Sequence, residues 1–276
     1  MADPSRSLSA PNVAASSPVW RRWRPGTLAR RLFVPALLLA AWQVAASLGL
    51  VREDFVGSPI GVVTSFVRLT LEEGLMRDIG VSLARAATGL TLGAGAGLAL
   101  GALVGLSKLG EDLLDSTLQA LRTLPLIGLI PLFILWFGLG ETPRILLIAL
   151  GSFFPVYVNV FRGIRNVDQR FIELAESCRL TRAELISEVV LPAALPSLLI
   201  GLRYAIGVAW LCLVVAEQVN ATSGLGYVII NANQLGQTSV IITALAIYAV
   251  IGVAADALVR ALEGRLLGWR RAFEGK

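Results

Sequence analysis

Residues 168–192 read DQRFIELAESCRLTRAELISEVVLP, a charged island between two long apolar stretches, closed by Leu191 and Pro192. The island parses as two short amphipathic helices. Asp168 is suited to cap the first, whose pattern runs to Cys178. Thr181 and Glu184 stand three positions apart ahead of an apolar run, the capping-box spacing, so a second helix is expected from Arg182. Leu185, Ile186, Val189 and Val190 form one side of it. Pro192 and Pro196 then punctuate the approach to the next apolar block. Such an island has little place in a mostly apolar chain unless something docks on it. The plainer reading is an amphipathic loop on a membrane surface.

Working outward, the chain of 276 residues is 55% hydrophobic and 16% charged, where soluble domains carry about 25% charge. The apolar residues come in blocks. A crossing needs roughly 20 of them, so about six spans are expected: Leu32–Leu50, Arg85–Leu106, Leu124–Leu139, Arg144–Phe161, Ser197–Val219 and Val240–Leu262. The class is therefore all-α and polytopic. Pro125 and Pro131 are expected to kink the third span. Ser58–Gly80 is read as an amphipathic helix on the outer surface, and residues 1–29, rich in Ser, Ala and Pro, as a disordered tail. Arg30 and Arg31 ahead of an apolar run mimic a twin-Arg export signal, but the later spans favour an uncleaved anchor.

Net charge is +5. The basic residues gather at span ends rather than on a nucleic-acid surface: Arg21 to Arg31 before the first span, Arg162 to Arg182 around the island, Arg260 to Lys276 after the last. The loop 220–239 has no Lys or Arg. The positive-inside rule then puts both termini and the island in the cytoplasm. Cys178 falls in the island and Cys212 in a span, so neither a disulfide nor a metal site is expected.

Span two carries Gly89, Gly93, Gly97, Gly101 and Gly105, one every fourth residue. That spacing lines one face and lets another helix backbone approach closely. Helix packing is the reading, within the chain or against a second copy. Arg203, Glu217 and Asp256 lie near membrane depth, which makes them candidates for the translocation path. Asp256 and Arg260 are spaced to pair on one helix face.

The chain has no His, which excludes His-based zinc proteases and Ser-His hydrolases. Neither Lys108 nor Lys276 sits in a Gly-Lys-Ser/Thr loop, so ATP hydrolysis by a Walker A loop is excluded too. Uphill transport would draw on another subunit or on an ion gradient, with Glu217 or Asp256 as a proton site in the second case.

The island resembles the EAA loop of ABC-importer permeases: Glu and two small residues, three further positions, a Gly, nine residues, then Ile-x-Leu-Pro. Glu173 and Ala175 match, Val189 stands for the Ile, and Leu191-Pro192 closes the motif. Leu174 replaces an Ala and Arg179 replaces the Gly. Further stretches, 121–141, 191–203, Ala216-Glu217 with Gly224 to Tyr227, and Leu266 to Trp269, are similar to the nitrate/sulfonate/taurine group of binding-protein-dependent permeases. The resemblance covers residues 30–271, leaving 272–276 as a cytoplasmic end. It implies a type I (MetI-like) permease fold in the bacterial inner membrane, transporting rather than catalytic. It also implies a homodimer with a pair of ATPase subunits that hold ATP-Mg, and an external solute-binding protein. The cargo would be a small organic anion of alkanesulfonate, taurine or nitrate type, or another small solute such as a heterocyclic vitamin precursor. The loop 166–195 would be the coupling loop, with Glu173, Ala175, Arg179, Leu180, Thr181, Arg182, Glu184, Leu185, Val189, Leu191 and Pro192 engaging the ATPase. Glu173 would orient the loop, and the apolar side of the second helix would fill the ATPase groove.

Overall fold

A computed structural model describes residues 25–50 and 52–267. Every regular element among them is a helix. Both terminal segments beyond these residues, including most of the expected tail, lie outside the description; α1, Pro25–Ser47, already begins within the stretch read as tail. This helix forms a unit of its own.

The second unit contains α2 (Pro59–Glu72), α3 (Leu75–Leu106), α4 (Lys108–Leu121), α5 (Leu126–Phe137), α6 (Glu141–Arg165), α7 (Gln169–Ser177), α8 (Arg182–Gln218), α9 (Leu225–Gln234) and α10 (Thr238–Leu266). The expected surface helix 58–80 is instead two elements. Ser58 caps α2 through the Gly61 N–H, and the chain turns at Gly74, with φ at 73°, before α3 begins.

Four helices, α3, α6, α8 and α10, are long and apolar enough to cross a membrane, and α4 with α5 makes a fifth if the bent pair is one span. The expected third span is the largest departure. Leu124–Leu139 holds only the short α5, and a helix outside the expected span, α4, precedes it and meets it at 87°. The break falls at Pro125, whose fixed φ and missing N–H stop helix propagation. Pro131 lies in the first turn after it, where no hydrogen bond is lost. The charged residues of α4 hid that helix from an apolar count.

The core is a three-helix stack with α6 in the middle. The share of its apolar stretch buried within the chain is 61%, against 33% for α3 and α8 and 22% for α10. The α3 glycines face α6. A Cβ on Gly97 would stand 2.6 Å from the Phe153 carbonyl oxygen, one on Gly101 2.9 Å from that of Tyr157, and one on Gly93 would overlap the Ala149 backbone. Gly89 and Gly105 meet Ile148 and Ile164. The stripe thus packs inside the chain. Lipid and protein interiors are equally apolar, so close van der Waals approach is what holds such helices together. On the other flank Gly151 of α6 meets Cys212 of α8, and Gly201 of α8 meets Asn159. Leu245, Val250, Val253 and Leu258 on α10 point outward, as a lipid-facing helix requires.

Candidate functional site

The island lies at one end of the stack. Asp168 accepts the Arg170 N–H at 2.9 Å and so caps α7. The α7 terminus closes at Arg179, where the EAA pattern has Gly. Arg179 does adopt the left-handed conformation, with φ at 57°. Its N–H donates to Glu176 O at 2.9 Å, and the Leu180 N–H reaches Ala175 O at 3.1 Å, the Schellman pattern. A non-Gly residue there costs on the order of 1 kcal/mol, and the chain bears it. The Thr181 N–H donates to the Glu184 carboxylate at 2.7 Å while the Glu184 N–H donates to Thr181 Oγ1, so both halves of the capping box form.

Two expectations for the island need correction. Pro192 does not end a separate helix, because α8 runs through it unbroken. Residues 185–190 are wound in wide π turns, and the Leu191 N–H bonds back to Ile186. This change of register puts Pro192 in the first turn of the tighter helix that follows, where its missing N–H is tolerated. Nor is the apolar side of the second helix free: Val190 is buried and Leu185 packs beside it against the Val156, Val160 and Ile164 cluster. The large apolar side chains left outside are Phe171 and Leu174 on α7 and Leu191. Glu173 and Arg182 are exposed among them, whereas Ala175 is buried.

At the opposite end of the stack is a buried ion network that the sequence did not reveal. Glu217, on the last turn of α8, is 1% exposed. Its carboxylate accepts from Ser82 Oγ at 2.8 Å, Arg85 Nη1 at 2.7 Å, the Gly226 N–H at 2.9 Å and Tyr248 Oη at 2.9 Å. Arg85 holds Glu141 through both Nε and Nη2, at 2.5 and 2.7 Å, and the Ser223 carbonyl at 2.8 Å. Arg144 joins Glu141 to the carbonyl of Asn220. The free N–H groups at the start of α9 are met from other helices: Gly224 by Asp78, Leu225 by Ser82, Gly226 by Glu217. Negative charge at a helix N-terminus is favourable, so three carboxyl or hydroxyl groups fix where α9 begins. Gly224 has φ at 104°, and a Cβ there would sit 2.5 Å from Glu217 Oε1; only Gly lets the loop close over this carboxylate.

The other path candidates form a second cluster nearer the island. Arg203 of α8 donates to Glu263 at 2.7 Å and lies 3.5 Å from Asp256, both on α10. Asp256 also pairs with Arg260. Arg203 and Asp256 therefore come together, Glu217 stands apart from them, and each of the three is occupied by opposite charge or hydrogen bonds. At the island end Tyr157 donates to Asp115 at 2.9 Å and Arg165 pairs with Glu111, tying α4 to α6.

A family model described as "Binding-protein-dependent transport system inner membrane component" matches residues 89–268. The putative aliphatic sulfonates transport permease protein of Bacillus subtilis is 45% identical over 274 residues, covering 99% of this chain and 99% of that one. A protein of the same description from Escherichia coli is 43% identical over 244 residues, covering 88% and 93%. The fold is similar to a crystal structure of an amino acid ABC transporter, with a TM-score of 0.61 at 22% identity, covering 73% of this chain and 97% of that one.

Proposed function

The chain belongs to the inner membrane components of binding-protein-dependent transport systems, and from that premise we propose that it carries an aliphatic sulfonate across the inner membrane. The observation that carries this choice of cargo is the 45% identity, over 99% of both chains, with a protein described as a putative aliphatic sulfonates transport permease. As an ABC-importer permease the chain is a transport subunit, working with an ATPase and a solute-binding protein. In our reading two copies form the pathway, and the ATPase pair holds ATP-Mg.

The island docks on the ATPase. Exposed Phe171 and Leu174 enter its groove, Glu173 and Arg182 set the orientation, and the buried Val190 side ties the island to α6 and α8. A displacement of the island is thereby passed to the helix stack. The island and both termini face the cytoplasm, consistent with the basic residues at 162–182. The Glu217 network then faces outward, on the side of the solute-binding protein, and keeps α9 fixed while the stack rocks.

The test is uptake by proteoliposomes holding the permease, its ATPase and its binding protein. ATP-dependent uptake of ethanesulfonate in preference to nitrate is the expected result. Uptake of neither, by a complex that assembles and hydrolyses ATP, would reject the cargo. Uptake that needs a proton gradient and no ATPase would reject the mechanism.

A further inference from the structure

Between the two polar ends, the break at Pro125 opens a cleft of about 300 Å³ against α6 and α8. Its polar lining is Arg122, Asn159 and Tyr204, and its apolar wall includes Phe154, Val158 and Val208. At about 1.5 Å of rise per residue, Phe154 and Asn159 lie roughly 20 and 27 Å from the Glu141 end of α6. α6 ends at Arg165, six residues or about 9 Å beyond Asn159, so the cleft runs from the middle of the stack toward its island end. Arg122 is exposed at the rim of the cleft, and ionisable residues on a span either mark a solute route or pair with an opposite charge. Arg203 and Arg260 pair. Among the described residues Arg122 has no ion pair and the Tyr204 hydroxyl no hydrogen bond. Asn159 donates one amide hydrogen to Pro155 O at 2.8 Å, which leaves the second for a ligand.

We infer that this cleft is a binding station for the transported solute, with Arg122, Tyr204 and Asn159 donating to an anionic head group and Phe154, Val158 and Val208 holding a short alkyl tail. This rests on the cargo class proposed above. The chemistry fits that class. A sulfonate offers three acceptor oxygens to a guanidinium and two neutral donors, and charge-assisted hydrogen bonds are the strong ones. Small-molecule pockets are mostly apolar with a few such polar groups. The volume lies at the lower end of the usual range, about 300–1,000 Å³, which suits an anion of a few carbons. The break supplies what an unbroken span could not. It ends α4 at Arg122, whose exposed side chain then lines the cleft.

The experiment uses the complete importer in proteoliposomes, with ethanesulfonate and hexanesulfonate as probes. Arg122→Gln is expected to lower the uptake of both by roughly tenfold or more, the loss of one charge-assisted contact, while the ATPase and binding protein still co-purify. Arg122→Lys should retain more uptake than Arg122→Gln. Val208→Trp, which fills the apolar wall, should depress hexanesulfonate uptake more than ethanesulfonate uptake. Wild-type uptake of sulfonate with an Arg122→Gln rate equal to it would overturn the inference and leave the cargo standing. Equal loss of both probes in Val208→Trp would remove the tail-binding role of the cleft. A wild-type complex that imports neither probe would reject the cargo class, and the inference with it.

Discussion

The two ends of the helix stack solve opposite problems. At the Glu217 end the acceptors are used up: one carboxylate takes four donors, and its arginine partner is shared with Glu141 and Ser223. At the island end the helix caps are satisfied, yet Phe171, Leu174, Glu173 and Arg182 stand outside the fold with no work to do within it. The first end satisfies its buried carboxylate within one chain, although Glu141 is half exposed and Arg144 Nε is left without a partner among the described residues. The second is complete only locally, which is what a surface made for a partner looks like. Mutations should therefore separate stability from assembly by location.

The largest effect on stability is expected from Glu217→Ala, which takes one of the two carboxylates from buried Arg85 and the shared acceptor from Ser82, Tyr248 and the Gly226 N–H. Breaking one side of a buried pair costs about 3–5 kcal/mol, read as a lower unfolding temperature in detergent with Glu217→Gln as the milder control. A Glu217→Ala protein as stable as wild type would dissolve the contrast between the ends. Next comes Gly97→Val in the stack between them. Overpacking typically costs about 1–3 kcal/mol, and here the added Cβ meets a backbone oxygen that cannot step aside. Cysteine crosslinks between α3 and α6 would report the separation.

Within the island the expected stability changes are smaller and of both signs. Thr181→Ala loses the capping box and about 1 kcal/mol of local helix stability. Arg179→Gly relieves the left-handed strain and should gain on the order of 1 kcal/mol. Hydrogen exchange across 168–192 measures both, and protection in Arg179→Gly no greater than in wild type would mean that the turn is not strained. The smallest change belongs to Glu173→Arg, which should move the unfolding temperature by no more than about 0.5 kcal/mol equivalent while weakening the ATPase complex.

What could be read from the sequence divides along the same line. The island's caps are encoded by neighbours two or three positions apart, so Asp168, Thr181 and Glu184 announced them. The glycine stripe announced a close-packed face in the same way. The Glu217 network was illegible because its members are far apart along the chain: Arg85 is 132 positions from Glu217 and 56 from Glu141. A signal was present, since Arg85 interrupts an apolar run, but it entered only as a span boundary. The third span was misread for a physical reason. Hydropathy counts reward continuous apolar residues and pass over a helix such as α4, whose EDLLD segment is charged. The continuity of α8 through Pro192 depends on π turns, for which a single sequence carries no periodic mark.

The central claim is that one end is closed and the other awaits a partner. The most direct test is co-purification of the ATPase with wild-type, Glu173→Arg and Glu217→Gln permeases, each checked for its unfolding temperature. The account predicts that Glu173→Arg keeps its stability and loses the ATPase, whereas Glu217→Gln loses stability and, while folded, keeps the ATPase. A stoichiometric ATPase on a stable Glu173→Arg permease would contradict it.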